Sequence, residues 1–176
     1  MKPTKILFNT DIGTFGVRAE GVMLKGNQVL LHQPETFDFW TFPGGGVHLH
    51  ETLQETLVRE WNEETGFDIE VKRLLYIIEN FFIFKGNQVF PGYTADGRVH
   101  GYGFCFLVEP KETEGEWLND EFYGQEDIPY QGRNLRITFR WFSPDELDSI
   151  NLVPVCLKEA LKNIPDQPIH IVDREV

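Results

Sequence analysis

Residues 45–67 read Gly45-Gly46-Val47-His48-Leu49-His50-Glu51-Thr52-Leu53-Gln54-Glu55-Thr56-Leu57-Val58-Arg59-Glu60-Trp61-Asn62-Glu63-Glu64-Thr65-Gly66-Phe67. Thr52 and Glu55 form a Thr-x-x-Glu capping box, which predicts a helix with Thr52 as its N-cap. Gly66 stands where a helix stop belongs. Leu53, Leu57 and Trp61 recur at every fourth position and give the helix a buried stripe. At about 100° per residue, Glu60, Glu63 and Glu64 fall within one arc of its surface. Glu60 and Glu64 lie at the edge of the apolar stripe, so they point toward packed protein. Like charges three and four residues apart repel one another, and nearby cations would offset that. Carboxylate oxygens are hard ligands suited to Mg²⁺ or Mn²⁺. The plain alternative is a solvated acidic face. Arg59, one turn after Glu55 and one before Glu63, can hold carboxylates through charged hydrogen bonds.

Working outward, the residues before the helix read as strands and turns. Residues 5–8 are a short apolar run. Residues 17–24 and 29–32 flank Lys25-Gly26-Asn27-Gln28, a hairpin turn. Residues 37–42 are a further extended candidate, stopped by Pro43. Gly44-Gly45-Gly46 predicts a flexible loop whose backbone can approach a ligand closely. After the helix, residues 69–84 and 98–108 are strand-like, and residues 85–97 form a turn-rich loop. Residues 109–133 are acidic and predict a long irregular loop. Residues 135–142 alternate, with Leu135, Ile137, Phe139 and Trp141 on one face and Arg136, Thr138 and Arg140 on the other. Ser143-Pro144-Asp145-Glu146 is a second capping box. A short helix follows it, another is predicted over residues 154–161, and residues 168–172 are a strand candidate. Lys-Gly-Asn-Gln-Val occurs at residues 25–29 and again at 85–89, which reads as the same turn chemistry used twice.

The 176 residues suit one domain spanning positions 1–176. With 28 acidic against 16 basic residues the net charge is -12, which argues against binding a nucleic-acid polymer or a membrane surface. A phosphorylated substrate would need a cation as mediator. Two cysteines are too few for a disulfide framework, the N-terminus carries no signal-peptide pattern, and no apolar run is long enough to span a membrane. Together these predict a cytoplasmic protein.

The quoted stretch resembles the Nudix box. That motif is Gly, five residues, Glu, seven residues, then Arg-Glu, a bulky hydrophobic, any residue, Glu-Glu, any residue, Gly and a second bulky hydrophobic. Gly45, Glu51, Arg59, Glu60, Trp61, Glu63, Glu64, Gly66 and Phe67 fill every fixed position, and Trp61 is larger than the usual Leu or Ile. Phe42-Pro43-Gly44-Gly45 resembles the family's lead-in, and residues 141–147 its late strand and helix start.

The resemblance implies an α+β Nudix fold: a mixed β-sheet sandwiched between helices, with the box as loop-helix-loop. It implies a hydrolase that cleaves a nucleoside diphosphate linked to another moiety, with a divalent metal such as Mg²⁺ or Mn²⁺. By position, Glu60 and Glu64 are implied as leading metal ligands, Glu63 as the third, and the Gly44 carbonyl as a further one. Arg59 and Glu51 would organise the cluster. Glu63, Glu60, Arg59 and Glu51 form the implied catalytic set. The general base varies in the family and is either a box glutamate or an acid from a later segment. A family member that senses a ligand without turnover is the rival reading. Substrate identity and a homodimer stay open.

Other residues carry weaker signals. His48 and His50 form a His-x-His pair in the variable part of the box. His100 lies in a strand. Glu79-Asn80 interrupts an apolar run and suits either a structural hydrogen bond or a substrate contact. Arg136 and Arg140 are either solvated or aimed at phosphate. The acids Glu109, Glu112, Glu114, Glu116, Asp120, Glu121, Glu126 and Asp127 could include a late catalytic acid, and spacing does not select among them. Specificity is expected outside the box, in residues 81–98 and 109–133, where Phe90, Tyr93, Trp117, Phe122, Tyr123 and Tyr130 could stack on a base.

Overall fold

The hairpin expected at residues 25–28 joins the first two long strands, with Lys25 paired to Gln28 and Leu24 to Val29. Around it the computed structural model, which describes residues 4–83, 97–128 and 133–175, builds a mixed sheet. Its strands are β1 (Leu7–Thr10), β2 (Gly13–Lys25), β3 (Gln28–Pro34), β4 (Gly44–Gly46), β5 (Ile69–Ile83), β6 (Arg98–Pro110), β7 (Glu121–Ile128), β8 (Arg133–Phe142) and β9 (Ile169–Arg174). The main order is β7-β8-β3-β2-β6-β5-β9, and β1 and β4 both pair with β2. β2 runs parallel to β6 and β5 parallel to β9; the remaining pairs are antiparallel.

Helix α1 (Leu53–Thr65) covers one face of this sheet. Leu57 and Trp61 pack there against Ala19, Met23, Leu30 and Ile137. A 3₁₀ segment (Pro144–Ser149) and helix α2 (Leu157–Ala160) cover the opposite face, where Leu147, Leu152 and Leu157 meet Val22, Leu31, Leu75 and Phe142. The sheet is thus held between helices. Because side chains alternate along a strand, β2 feeds both cores, Ala19 and Met23 to one and Val22 to the other.

The caps of α1 are as the sequence predicts. The Thr52 hydroxyl accepts from the Glu55 amide at 3.2 Å, and the Glu55 carboxylate accepts from the Thr52 amide at 2.8 Å. Gly66 adopts a left-handed φ of 77°, the conformation of a helix stop. Trp61 fits a position usually filled by a smaller residue because Gly21 of β2 leaves room: a Cβ there would sit 2.7 Å from the indole Nε1.

Several expectations are corrected. Gly44–Gly46 is not a loop but β4, with Gly44, Gly45 and Gly46 opposite Glu20, Ala19 and Arg18. The helix after Ser143 is 3₁₀, and α2 is a single turn. Residues 109–133 are not one irregular loop. β6 runs to Pro110, a turn and a short 3₁₀ segment (Glu116–Leu118) follow, and β7 then pairs with β8. The acidic residues of β7 hide its alternation in the sequence. Phe122 points inward and stacks on Phe139 at 4.9 Å, so it is a core residue. Phe90, Tyr93, Tyr130 and the second Lys-Gly-Asn-Gln-Val lie outside the described residues.

Gly124 of β7 lies against the end of α1, where a Cβ would collide with the Glu64 carbonyl oxygen. Gly124→Ala is therefore expected to destabilise the fold by about 1–3 kcal/mol, a typical overpacking cost. Urea denaturation measures it, and a midpoint equal to that of the parent protein would refute the contact.

Candidate active site

Three segments meet at the C-terminal half of α1: β2 with β4, the helix itself, and β7. The sequence brings Glu60 and Glu64 to the inner side of α1, and both are buried, at 9% and 6% exposure. Glu63, one position before Glu64, turns outward with its side chain 60% exposed. Gly45 makes the Glu60 position possible, because any Cβ at residue 45 would occupy the place of the Glu60 carboxylate.

Arg59 links these groups. Its guanidinium donates to both oxygens of Glu51 at 2.8 and 3.0 Å, to Glu60 at 2.8 Å, to Glu63 at 3.1 Å and to the Gly46 carbonyl at 3.4 Å. Burial opposes the Arg59 charge, but the carboxylates of Glu51 and Glu60 more than offset it, so the group is held firmly protonated. Bonding to Arg59, helped by the Thr56 hydroxyl, lowers the Glu51 carboxyl to about 2 against burial. Thr56 donates to Glu51 at 2.8 Å, which anchors that carboxylate to the first turns of α1. Arg59, Glu51, Glu60 and Glu63 are thus brought together as the sequence expects.

Gly44, the remaining expected ligand, presents its carbonyl to Arg18, whose guanidinium donates to it at 3.0 Å. Arg18 also donates to Glu20 at 3.2 Å. Glu20 is 6% exposed, and it accepts from the Cys105 thiol at 3.4 Å. Arg18 and Glu20 were not among the residues expected from the sequence. Their signal was two charges at alternate positions of an otherwise apolar strand, which places them on one face.

β7 contributes Glu126. Phe122, Gly124 and Glu126 share a face at period two, and Gly124 touches α1, so Glu126 is directed to the same end of the helix. Solvent still reaches Glu126, yet the surrounding protein strips part of its hydration. That desolvation, with the charges of Glu64 and Glu60, raises its carboxyl above the ordinary value, while Lys5 and Arg18 pull the other way. Of the late acids that spacing did not separate, Glu126 is coupled in this way to Glu64 and Glu60.

The carboxylates suit a divalent ion. Glu64 Oε2 is buried without a hydrogen-bond partner among the described residues, and Glu60, one turn earlier on the inner side of α1, is a second buried hard oxygen donor. Arg59 holds Glu60 and Glu63, and no three acidic, histidine or cysteine side chains among the described residues converge as a finished shell.

The weaker candidates resolve structurally. His48 is buried with Nδ1 3.5 Å from Glu51, while His50 is exposed. His100 contacts Glu79 at 3.0 Å and stacks on Phe81, and Glu79 also reaches His170 at 3.4 Å. Arg136 lies over the Tyr123 ring and Arg140 pairs with Glu146, so both serve local contacts.

A model of the NUDIX domain family matches residues 15–163. A protein from Methanocaldococcus jannaschii named ADP-ribose pyrophosphatase is 40% identical over 120 residues, 64% of each chain. A relative from Bacillus subtilis is 33% identical over 60 residues, 34% of this chain and 29% of that protein. The chain thus spans less than two thirds of the length of either curated relative. Among solved structures, an ADP-ribose pyrophosphatase from Streptococcus suis superposes with a TM-score of 0.55 at 17% identity, covering 90% of this chain and 98% of that one, a likeness of fold.

The lowered Glu51 carboxyl contributes stability above its unfolded value of 4.5, and that contribution is lost as pH falls from there toward about 2. Acid titration of the urea midpoint should show a decline across this window. Glu51→Gln should flatten it, and an unchanged slope in that variant would exclude the Arg59–Glu51 pair as its source.

Proposed function

The chain belongs to the NUDIX domain family, and from that premise we propose that it hydrolyses the diphosphate of a nucleoside diphosphate joined to a second moiety, using Mg²⁺ or Mn²⁺. ADP-ribose is the first member to test, in keeping with the names of two similar proteins. One observation carries the reading. Glu60 and Glu64 are buried carboxylates, Glu60 lies against Gly45 of β4, and one Glu64 oxygen makes no hydrogen bond among the described residues.

In this proposal Glu60 and Glu64 hold the ion, with Glu63 as third ligand and the Gly44 carbonyl as a fourth donor. A divalent ion bound there supplies Lewis-acid polarisation of the diphosphate and cancels part of its charge. Arg59 and Glu51 keep Glu60 and Glu63 in place. Arg18 is the cation set to receive a non-bridging phosphate oxygen, since its side chain keeps 41% exposure while Glu20 steadies it. Glu126 accepts the proton of the attacking water; its raised carboxyl brings it closer to neutral pH, where a base works best. Attack at one phosphorus breaks the bond to the bridging oxygen, and two monophosphates leave without a covalent enzyme intermediate.

A net charge of -12 supports a small substrate over a nucleic-acid polymer. No helix among the described residues is long and apolar enough to cross a membrane.

A panel of nucleoside diphosphate derivatives with Mg²⁺ or Mn²⁺, read by product identification, tests the proposal. Metal-dependent release of two monophosphates is expected; binding without turnover would replace it with the ligand-sensing reading. Glu64→Gln should lower kcat by about 10²–10³-fold with the fold intact, the scale for removing a group that stabilises developing charge. A variant that keeps the parent rate at saturating metal would remove Glu64 from the site. Arg18→Met is expected to raise KM more than it lowers kcat, because a phosphate contact present in ground and transition states acts mainly on binding. An unchanged KM would dismiss that contact.

A further inference from the structure

His32 of β3 is 4% exposed, and its Nδ1 lies 3.4 Å from Glu64 Oε2. Both atoms are buried, and neither makes a hydrogen bond among the described residues. Two orphaned polar atoms facing each other inside a protein are costly to keep, and native structures seldom tolerate them without a partner. The pair is also held in place. The His32 amide and carbonyl both bond to Thr41, at 2.9 and 3.1 Å, and the ring packs on Phe139 at 5.6 Å.

Nitrogen and oxygen donors on one divalent ion each stand about 2.0–2.2 Å from it, which leaves about 3.0–3.5 Å between them. The His32–Glu64 spacing falls in that range. We infer that His32 is a nitrogen ligand of the ion held by Glu64 and Glu60, an inference that rests on the metal-dependent reading above.

The consequence is metal selectivity. A shell of carboxylates and carbonyls alone suits Mg²⁺, whereas an imidazole donor favours first-row transition ions. The motif assigns no such role to residue 32, since it names only glutamates and the glycine segment.

The test uses the full chain loaded with Mn²⁺ alone and pulsed electron paramagnetic resonance. A hyperfine coupling from directly bonded nitrogen is expected. It should vanish in His32→Gln and persist in His48→Gln, and calorimetry should show Mn²⁺ affinity falling about tenfold in His32→Gln, with Mg²⁺ affinity falling less. His32→Asn repeats the measurement if the glutamine variant does not fold. Mn²⁺ bound with an oxygen-only spectrum overturns this inference and leaves the carboxylate site standing. Coupling that survives in His32→Gln, or is lost in His48→Gln, also overturns it. A protein that takes up no Mn²⁺ overturns both readings.

Discussion

Glu51 before a helix and Glu60, Glu63 and Glu64 in its second half bring four negative charges to one helix in a chain with a net charge of -12. Arg59 is the cation that makes this tolerable, because it bonds three of the four and the backbone of β4 as well. Its fork of donors is suited to several oxygens at once, which a lysine could not match. The orientation of Glu51, Glu60 and Glu63 therefore depends on one side chain. Glu64 stands apart from that network, and its spare oxygen is the natural entry point for an ion.

β4 and β7 complete the arrangement from either side. The glycines of β4 let its backbone run close to its neighbours, with Gly45 clearing Glu60 under the helix and Gly44 clearing Ala19 of β2. Gly124 does the same from β7, and its neighbour at period two brings Glu126 into the cluster. Close approach of backbone to side chain thus shapes the acidic cluster.

The box, its caps and the buried stripe were legible because their signals are local: a hydroxyl and a carboxylate three residues apart, a glycine stop, and period-four apolar positions. The alternation of residues 135–142 was legible for the same reason, with Leu135, Ile137, Phe139 and Trp141 all buried. Arg18, Glu20 and His32 were not, because their roles arise from strand pairing between distant segments. β7 was hidden since an edge strand rich in acidic residues looks like a loop in composition. The glycine run was misread as flexible, although β2 pairs with it residue by residue.

β7 ends the sheet with an outer row of peptide groups that β8 does not reach. Such an edge invites another chain to add a strand, a route to aggregation. Asp120 and Glu121 stand exposed where it begins. Two copies approaching edge to edge would bring these charges together, and a buried charge pair of like sign is costly. The acids that make β7 hard to recognise thus also guard colloidal solubility. The protein should be least soluble near its isoelectric region, around pH 4.8, where the net charge that keeps copies apart vanishes.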